Sequence, residues 1–501
     1  MAISTTIPES WKLPLFWAVV DGSQAGNLSQ NQAAMLVGQS LPTGTAQQNV
    51  PLVVASPALA DVMFGQGSML ARMCKAFFKV NPTQLLYAIA VPDPAAGVAA
   101  AGGITIATAP TAAGILSIYI AGQLVQIVVA ATDTTTSIAT NLAAQINAQA
   151  DLPVTATAAL GVVTLTCKWK GLTGNDITII PNYLGSNGGQ ALPQGVTLTI
   201  AAMANGAGEP DFTAAIASIQ TMAIYYAGVP YTDSASMAEW ANEFGFNAGG
   251  RWSYERQQYG FIVNYYRTDY ADLITWGLAQ NQPVISTMAL EPQAPTPVWE
   301  YTAAYCAAAA LGFSDDPARP LQTLELVGCL PAPVQNQFMQ AQLNNLANSG
   351  FAIQGVAPDG NPMILREQTQ YQKNSYGQGD TAFALLTTLA TLAALLQRMS
   401  AAITTKYPRV KLVPDGTPIG PGQAVISPSI AKAELVSEYN AAMYDGLCSN
   451  LPAFIANLTV EIDNNNSNRL NVLWPPQLAG QLRQFAVLAQ FRLLYPPTTS
   501  G

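Results

Sequence analysis

Leu385, Leu389, Leu392, Leu396, Met399 and Ile403 recur at 4-3-4-3-4 spacing, which predicts the longest helix of the chain. Leu386, Ala393 and Leu395 widen that stripe past half the circumference and Arg398 is the only charge along it, so both faces are expected to be buried. A different rhythm runs from Val162 to Lys170, where Val163, Leu165, Cys167 and Trp169 alternate with Thr164, Thr166, Lys168 and Lys170. Period two predicts a half-buried strand with Cys167 on its apolar face. Met63, Met69, Leu70, Met73, Phe77 and Phe78 fit helical spacing from Ala58 to Val80, and a strand follows at Leu85 to Val91, closed by Pro92 and Pro94.

Between Ala95 and Gly208 the chain turns to Ala, Thr, Gly and Val, with predicted strands at Gly103 to Thr108, Ile115 to Ile120, Leu124 to Val129, Ile177 to Pro181 and Val196 to Ile200. Thr134 can cap a helix carrying Ile138, Leu142 and Ile146, which Pro153 stops. The stretch reads as an inserted α+β unit with glycine-rich exits, expected to sit on the outside of an assembly and to be dispensable for polymerisation. From Asp211 short apolar strands alternate with helices: Met222 to Ala227 then Ser234 to Phe244, Phe261 to Tyr265 then Ala271 to Gln280, Val284 to Met288 then Val298 to Leu311. That order predicts an α/β sheet with covered faces. A strand at Leu321 to Leu326, a helix at Val334 to Ala347 and strands at Phe351 to Val356, Phe454 to Ile462, Leu470 to Leu473 and Gln484 to Leu494 complete the reading.

The fold class is therefore mixed α/β and multidomain: an N-terminal arm (1–30), an α/β domain (31–94 and 209–365), the inserted α+β domain (95–208), a C-terminal domain (366–480) and a C-terminal arm (481–501). The arms are apolar strands without a neighbour in sequence, Leu15 to Val20 with Leu15, Phe16, Trp17 and Val19, and the terminal run with Phe485, Val487, Leu488 and Phe491. Strands of this kind at a terminus need a partner edge.

Composition sharpens the picture. Half of the 501 residues are apolar and only 10% are charged, against ~25% in ordinary soluble chains. Charge depletion on this scale points to surface that is covered in the working state. A net charge of −9 argues against nucleic acid as a partner. There is no histidine, which removes Ser-His and Cys-His nucleophile pairs, two-His zinc motifs and the usual neutral-pH proton shuttle. Five widely spaced cysteines without a C-x-x-C exclude a zinc ribbon and read as small core residues, although exposed ones could cross-link subunits in an oxidising medium. The start lacks a basic secretory signal, and Thr381 to Leu396 is too short and too rich in threonine for a membrane span.

Candidate chemistry is sparse. Gly65-Gln66-Gly67 has no following Lys-Ser/Thr and no preceding strand, so it does not make a phosphate loop. Asp463 to Arg469 lacks the turn glycine and terminal glutamate of a calcium loop and reads as an Asn-rich turn. Asp315 and Asp316 are adjacent and point apart. Lys406, Arg409 and Lys411 follow the long helix; they either complement its C-terminal dipole or offer a basic contact to another protein.

One set of segments is recognisable. Asp316-Pro-Ala-Arg-Pro-Leu-Gln-Thr-Leu-Glu-Leu326, Gly350-Phe-Ala-Ile353, Gln370-Tyr-Gln-Lys-Asn374 with Gly379-Asp380, Lys411-Leu-Val-Pro-Asp-Gly416, Asn468-Arg-Leu470 with Trp474-Pro-Pro-Gln-Leu478, and Gln481-Leu-Arg-Gln-Phe-Ala-Val-Leu-Ala-Gln-Phe-Arg492 occur in the order found in the tail sheath proteins of Mu-like contractile-tailed bacteriophages. The chain resembles that family from about residue 10 to 495. The resemblance implies a subunit without catalytic activity or cofactor, stacked as hexameric rings around a tail tube protein, ending on baseplate and tail terminator proteins, assembled in the host cytoplasm and carried in the virion. It also implies terminal arms that add strands to a neighbour's sheet, contraction that drives the tube through the host envelope, and no direct membrane insertion. Lys406, Arg409 and Lys411 are the candidate tube contacts. A static tube or shell protein, and a histidine-free hydrolase, are the alternative readings.

Overall fold

The computed structural model describes residues 32–493. The N-terminal arm residues Leu15, Phe16, Trp17 and Val19 lie outside them.

The chain enters as β1 (Ala33–Gln39), β2 (Pro51–Val54), α1 (Pro57–Phe64), α2 (Met69–Val80) and β3 (Leu86–Val91). The single helical pattern expected over Ala58 to Val80 is two helices, because Gly65 and Gly67 take φ of +85° and +80° and Ser68 caps a new start by accepting from Ala71 N at 3.1 Å. Gly67 is also where the insertion presses: a Cβ there would stand 2.5 Å from Ala150 O.

After β3 the chain leaves the sheet through β4 (Ala101–Ile106), β5 (Gly114–Ile120), β6 (Gln123–Val129), α3 (Thr135–Ala148), β7 (Val154–Ala159), β8 (Val162–Cys167), β9 (Ile179–Pro181) and β10 (Leu198–Ala204). Two antiparallel sheets result, ordered β10-β4-β8-β7 and β6-β5-β9. Thr134 and Ser137 form a reciprocal capping box at the start of α3. The period-two reading of β8 holds: Val163, Leu165, Cys167 and Trp169 are buried, Thr164 and Thr166 exposed. Val98 and Ala207 exchange backbone hydrogen bonds at the neck, 2.9 and 3.1 Å.

The chain then returns as α4 (Thr213–Ser218), β11 (Ile224–Gly228), α5 (Ser234–Phe244), β12 (Phe261–Arg267), α6 (Tyr270–Leu278), β13 (Ile285–Leu290) and α7 (Val298–Asp315). The main sheet runs β13-β12-β11-β1-β3-β2, parallel except for β2. Strands β1, β11 and β13 are buried along their whole length, and β12 and β3 along most of theirs, as a parallel sheet covered on both faces requires. The expected strand at Leu321 to Leu326 is instead a turn with one bridge, Glu325 to Met363, since Pro320 and a left-handed Thr323 at φ +72° break the extended run. The helix expected from Val334 is split where Gln337 and Met339 take extended backbone, into a 3-10 turn (Val334–Asn336) and α8 (Gln340–Asn348). A hairpin follows, β14 (Ile353–Val356) with β15 (Pro362–Arg366).

The insertion is welded to this body. Arg72 of α2 donates through Nε to Glu300 Oε1 of α7 at 2.6 Å, while its Nη1 and Nη2 reach Asp151 O at 3.2 Å and Ala121 O at 2.7 Å in the insertion. Burial pushes the Glu300 carboxyl above its usual value and Arg72 opposes that shift. Trp169 packs edge-on against Trp299, centroids 5.5 Å apart. Gln39 Nε2 donates to Asp93 Oδ1 and to Lys170 O, both at 2.6 Å. One continuous apolar core runs through body and insertion. Removing the insertion would uncover this ion pair and the Trp299 indole.

The longest helix is α9 (Leu386–Lys406). Leu386 and Leu389 join the main core, whereas Leu395 belongs to a second one. Its C-terminal end is exposed from Thr404 onward, so burial of both faces holds only for the first half. By length and composition α9 could cross a membrane, yet Thr387, Leu389, Thr391, Ala393 and Leu395 are buried inside the fold.

Beyond it lie β16 (Lys411–Leu412), β17 (Val425–Ile426), α10 (Pro428–Tyr444), β18 (Cys448–Ser449), α11 (Leu451–Asn457), β19 (Thr459–Ile462), β20 (Leu470–Leu473) and β21 (Gln477–Leu478). The second core gathers Leu395, Leu435, Tyr439, Leu447, Cys448, Phe454 and Leu458, with Tyr439 and Phe454 stacked at 3.7 Å. The strand expected over Phe454 to Ile462 is corrected: Asn450 accepts from Ala453 N at 3.3 Å, Pro452 occupies the first turn, and a helix runs to Asn457 before the strand starts. All five cysteines are buried and unpaired, and burial pushes the Cys167 thiol up to about 12.

Candidate assembly interface

Up to Arg483 the C-terminal chain is stitched to the body. Gln481 Nε2 donates to Ala318 O at 3.1 Å and Gln322 Nε2 to Leu482 O at 3.5 Å. The Arg483 guanidinium takes Glu367 in a two-pronged grip, Nη1 to Oε2 at 2.9 Å and Nη2 to Oε1. Its Nε donates to Gln481 Oε1 at 2.9 Å and Nη2 to Thr387 Oγ1 at 3.4 Å. The Glu367 side chain is fully buried.

From residue 484 to 493 the backbone belongs to no helix or strand. Phe485, Val487, Leu488 and Phe491 are 82%, 69%, 84% and 85% exposed. The strand expected over Gln484 to Leu494 therefore has no ladder within this chain among the described residues, although β-rich sequence and an apolar pattern are both present. Four exposed apolar side chains within seven positions form an unusual surface for a soluble chain.

The hairpin of β19 and β20 pairs antiparallel from Thr459↔Leu473 to Ile462↔Leu470, and among the described residues neither strand has a second neighbour. Val472 and Leu473 are 43% and 64% exposed. The loop between the strands is the Asn-rich turn expected from sequence: Asp463 Oδ1 accepts from Asn465 N at 2.7 Å and Asn466 N at 3.1 Å. Those bonds occupy the carboxylate that a calcium loop would use. Among the described residues no group of three or more acidic or sulfur ligands is placed to hold a metal ion.

The three basic residues do not form one patch of equal character. Lys406, at the end of α9, pairs with Glu434 and, at 3.3 Å, with Glu438 on α10. The hydrogen bond to Glu434 holds the Lys406 ammonium above its ordinary value and the Glu434 carboxyl below its own. Lys411 Nζ donates to Gln423 Oε1 at 3.1 Å, and Arg409 is exposed. The residue that sequence reasoning missed is Glu367: it lies 116 positions from Arg483, and no local pattern links the two.

Comparison with known proteins places this arrangement. The family model for the phage tail sheath protein central domain matches residues 205–369. The Mu-like prophage FluMu tail sheath protein of Haemophilus influenzae is 34% identical over 496 residues, covering 98% of this chain and all of that one. Crystal structures of sheath tail proteins from Desulfitobacterium hafniense and Listeria innocua align at 12% and 11% identity, each with a TM-score of 0.47, covering 93% and 90% of this chain and 100% and 92% of theirs. A chain of the anti-feeding prophage baseplate aligns at 9% identity with a TM-score of 0.49, covering 97% of this chain and 100% of its own. Identity at the level of the Haemophilus protein, sustained over both whole chains, decides the matter: the protein belongs to the tail sheath family of Mu-like bacteriophages and is a structural component of a contractile tail.

Proposed function

We propose that the protein acts mechanically rather than catalytically. Copies stack as hexameric rings around a tail tube protein, between baseplate and tail terminator proteins, after assembly in the host cytoplasm, and the sleeve shortens and widens to drive the tube through the envelope. The observation that carries this reading is the exposed apolar run after Arg483. Phe485, Val487, Ala489, Phe491 and Leu493 fall on alternate positions, so an extended chain sets them on one face. The receptor is the open β19–β20 hairpin of another copy, which as an isolated two-stranded sheet gains from a further strand. Leu15, Phe16, Trp17 and Val19 supply the matching N-terminal link. Exposed Arg409 and Lys411 are the better tube contacts, Lys406 being engaged with two glutamates. Residues 95–208 form the outer unit, docked on the body.

Electron microscopy of purified assemblies before and after mild heating tests this. A sheath gives two lattices, one long and narrow and one short and wide. One invariant lattice identifies a static tube, and a soluble monomer overturns the reading.

A further inference from the structure

Arg483 closes a run of three C-terminal residues, Gln481 to Arg483, that are bonded to the body, and three separate parts of the fold meet on its side chain. Glu367 follows directly on β15, at the edge of the body's sheet system; Thr387 lies in the first turn of α9; Gln481 belongs to the departing chain itself. α9 is the helix that joins the main core to the second core. A bidentate guanidinium–carboxylate pair in a buried site is directional, and neither partner can leave without exposing the other's charge to low dielectric. We propose that the Arg483–Glu367 pair is the positioning anchor of the C-terminal arm: it fixes where the arm leaves the body and passes load from the arm into both the sheet and α9. This inference rests on the arm reading above and assigns the arm's point of attachment.

A body that needs only to be folded has no use for a stitched root immediately before an exposed apolar segment. Gln481, Leu482 and Arg483 are each bonded to residues 318 to 387; the Leu482 side chain is already exposed, and every residue from 484 to 493 is exposed. Without the anchor the loose segment would lengthen back toward Gly480, and a longer flexible tether lowers the effective concentration of the arm at its receptor.

The test uses the full chain with Arg483→Met and Glu367→Gln together, which removes the charge pair without leaving one ion buried. A chain ending at Arg483 serves as the control for the arm. The double variant is expected to melt as the wild type does, to gain chymotryptic cleavage at Leu478 and Leu482, and to need a roughly tenfold higher protein concentration to form tubes, equivalent to about 1.4 kcal/mol per added subunit. Unchanged cleavage and an unchanged critical concentration overturn the anchor. If the shortened chain still forms tubes, the arm reading fails instead. Should the double variant not melt cooperatively, Arg483→Lys carries the test, since it keeps the charge and loses the fork: a raised critical concentration with normal melting supports the anchor, and wild-type behaviour in both overturns it.

Discussion

The insertion and the C-terminal region both hang on the same α/β body, and they are attached in opposite ways. The insertion shares its core, buries the Arg72–Glu300 pair beneath its own carbonyls and packs Trp169 edge-on against Trp299. The C-terminal region has a separate small core and meets the body along α9 and through the Arg483 anchor. A sheath subunit has to hold its bulk rigid while its links to neighbours reorient, and packed cores resist deformation whereas junctions between them allow rigid-body motion. The proposed function therefore assigns stiffness to the insertion and compliance to the C-terminal region.

The sharpest way to break this contrast is to excise residues 95–208, joining Pro94 to Glu209 through a short linker. The remaining body is expected to lose its cooperative thermal transition by circular dichroism, because Arg72, Glu300 and Trp299 become exposed together; a clean melt near the wild-type temperature would show that the two attachments are alike. Arg72→Met tests the same interface alone and should cost about 3–5 kcal/mol by leaving a buried carboxylate unpaired. The sign of its pH dependence follows from Glu300, whose folded pKa already lies above its unfolded value. Losing Arg72 raises it further, so the folded state binds the extra proton and the deficit should shrink as pH falls from about 8 to about 5. Denaturant titration at both values checks this.

Phe454→Ala should remove about 3–5 kcal/mol from the second core. Here the loss is expected to stay local: amide hydrogen exchange should accelerate in α10, α11 and β18 to β21 while β1, β11 and β12 keep their protection. Acceleration throughout would mean that the cores are one unit. The smallest effect belongs to Lys406→Ala, an exposed pair with Glu434 that should contribute less than about 1 kcal/mol to melting stability.

The same contrast explains what could be read from sequence. The alternation of β8, the capping box at Thr134 and the strand–helix order from β11 to α7 are local signals and were legible. The breaks at Gly65 and Gly67 and the helix start at Asn450 were local too, but apolar periodicity outweighed capping chemistry at Phe454. What no pattern contained was the docking of distant parts: Arg72 meets Glu300 across 228 positions and Arg483 meets Glu367 across 116. Contacts at that separation are set by topology, whereas the C-terminal arm, Phe485 to Phe491, was legible as an apolar run, and among the described residues its large apolar side chains are exposed.

The most direct measurement compares, by negative-stain electron microscopy, the purified full-length chain with a chain ending at Arg483, the latter keeping the anchor and losing only the exposed segment. The account predicts hollow tubes or stacked rings from the first and folded, dispersed particles from the second. Tubes from both, or dispersed monomers from the full-length protein well above micromolar concentration, would contradict it.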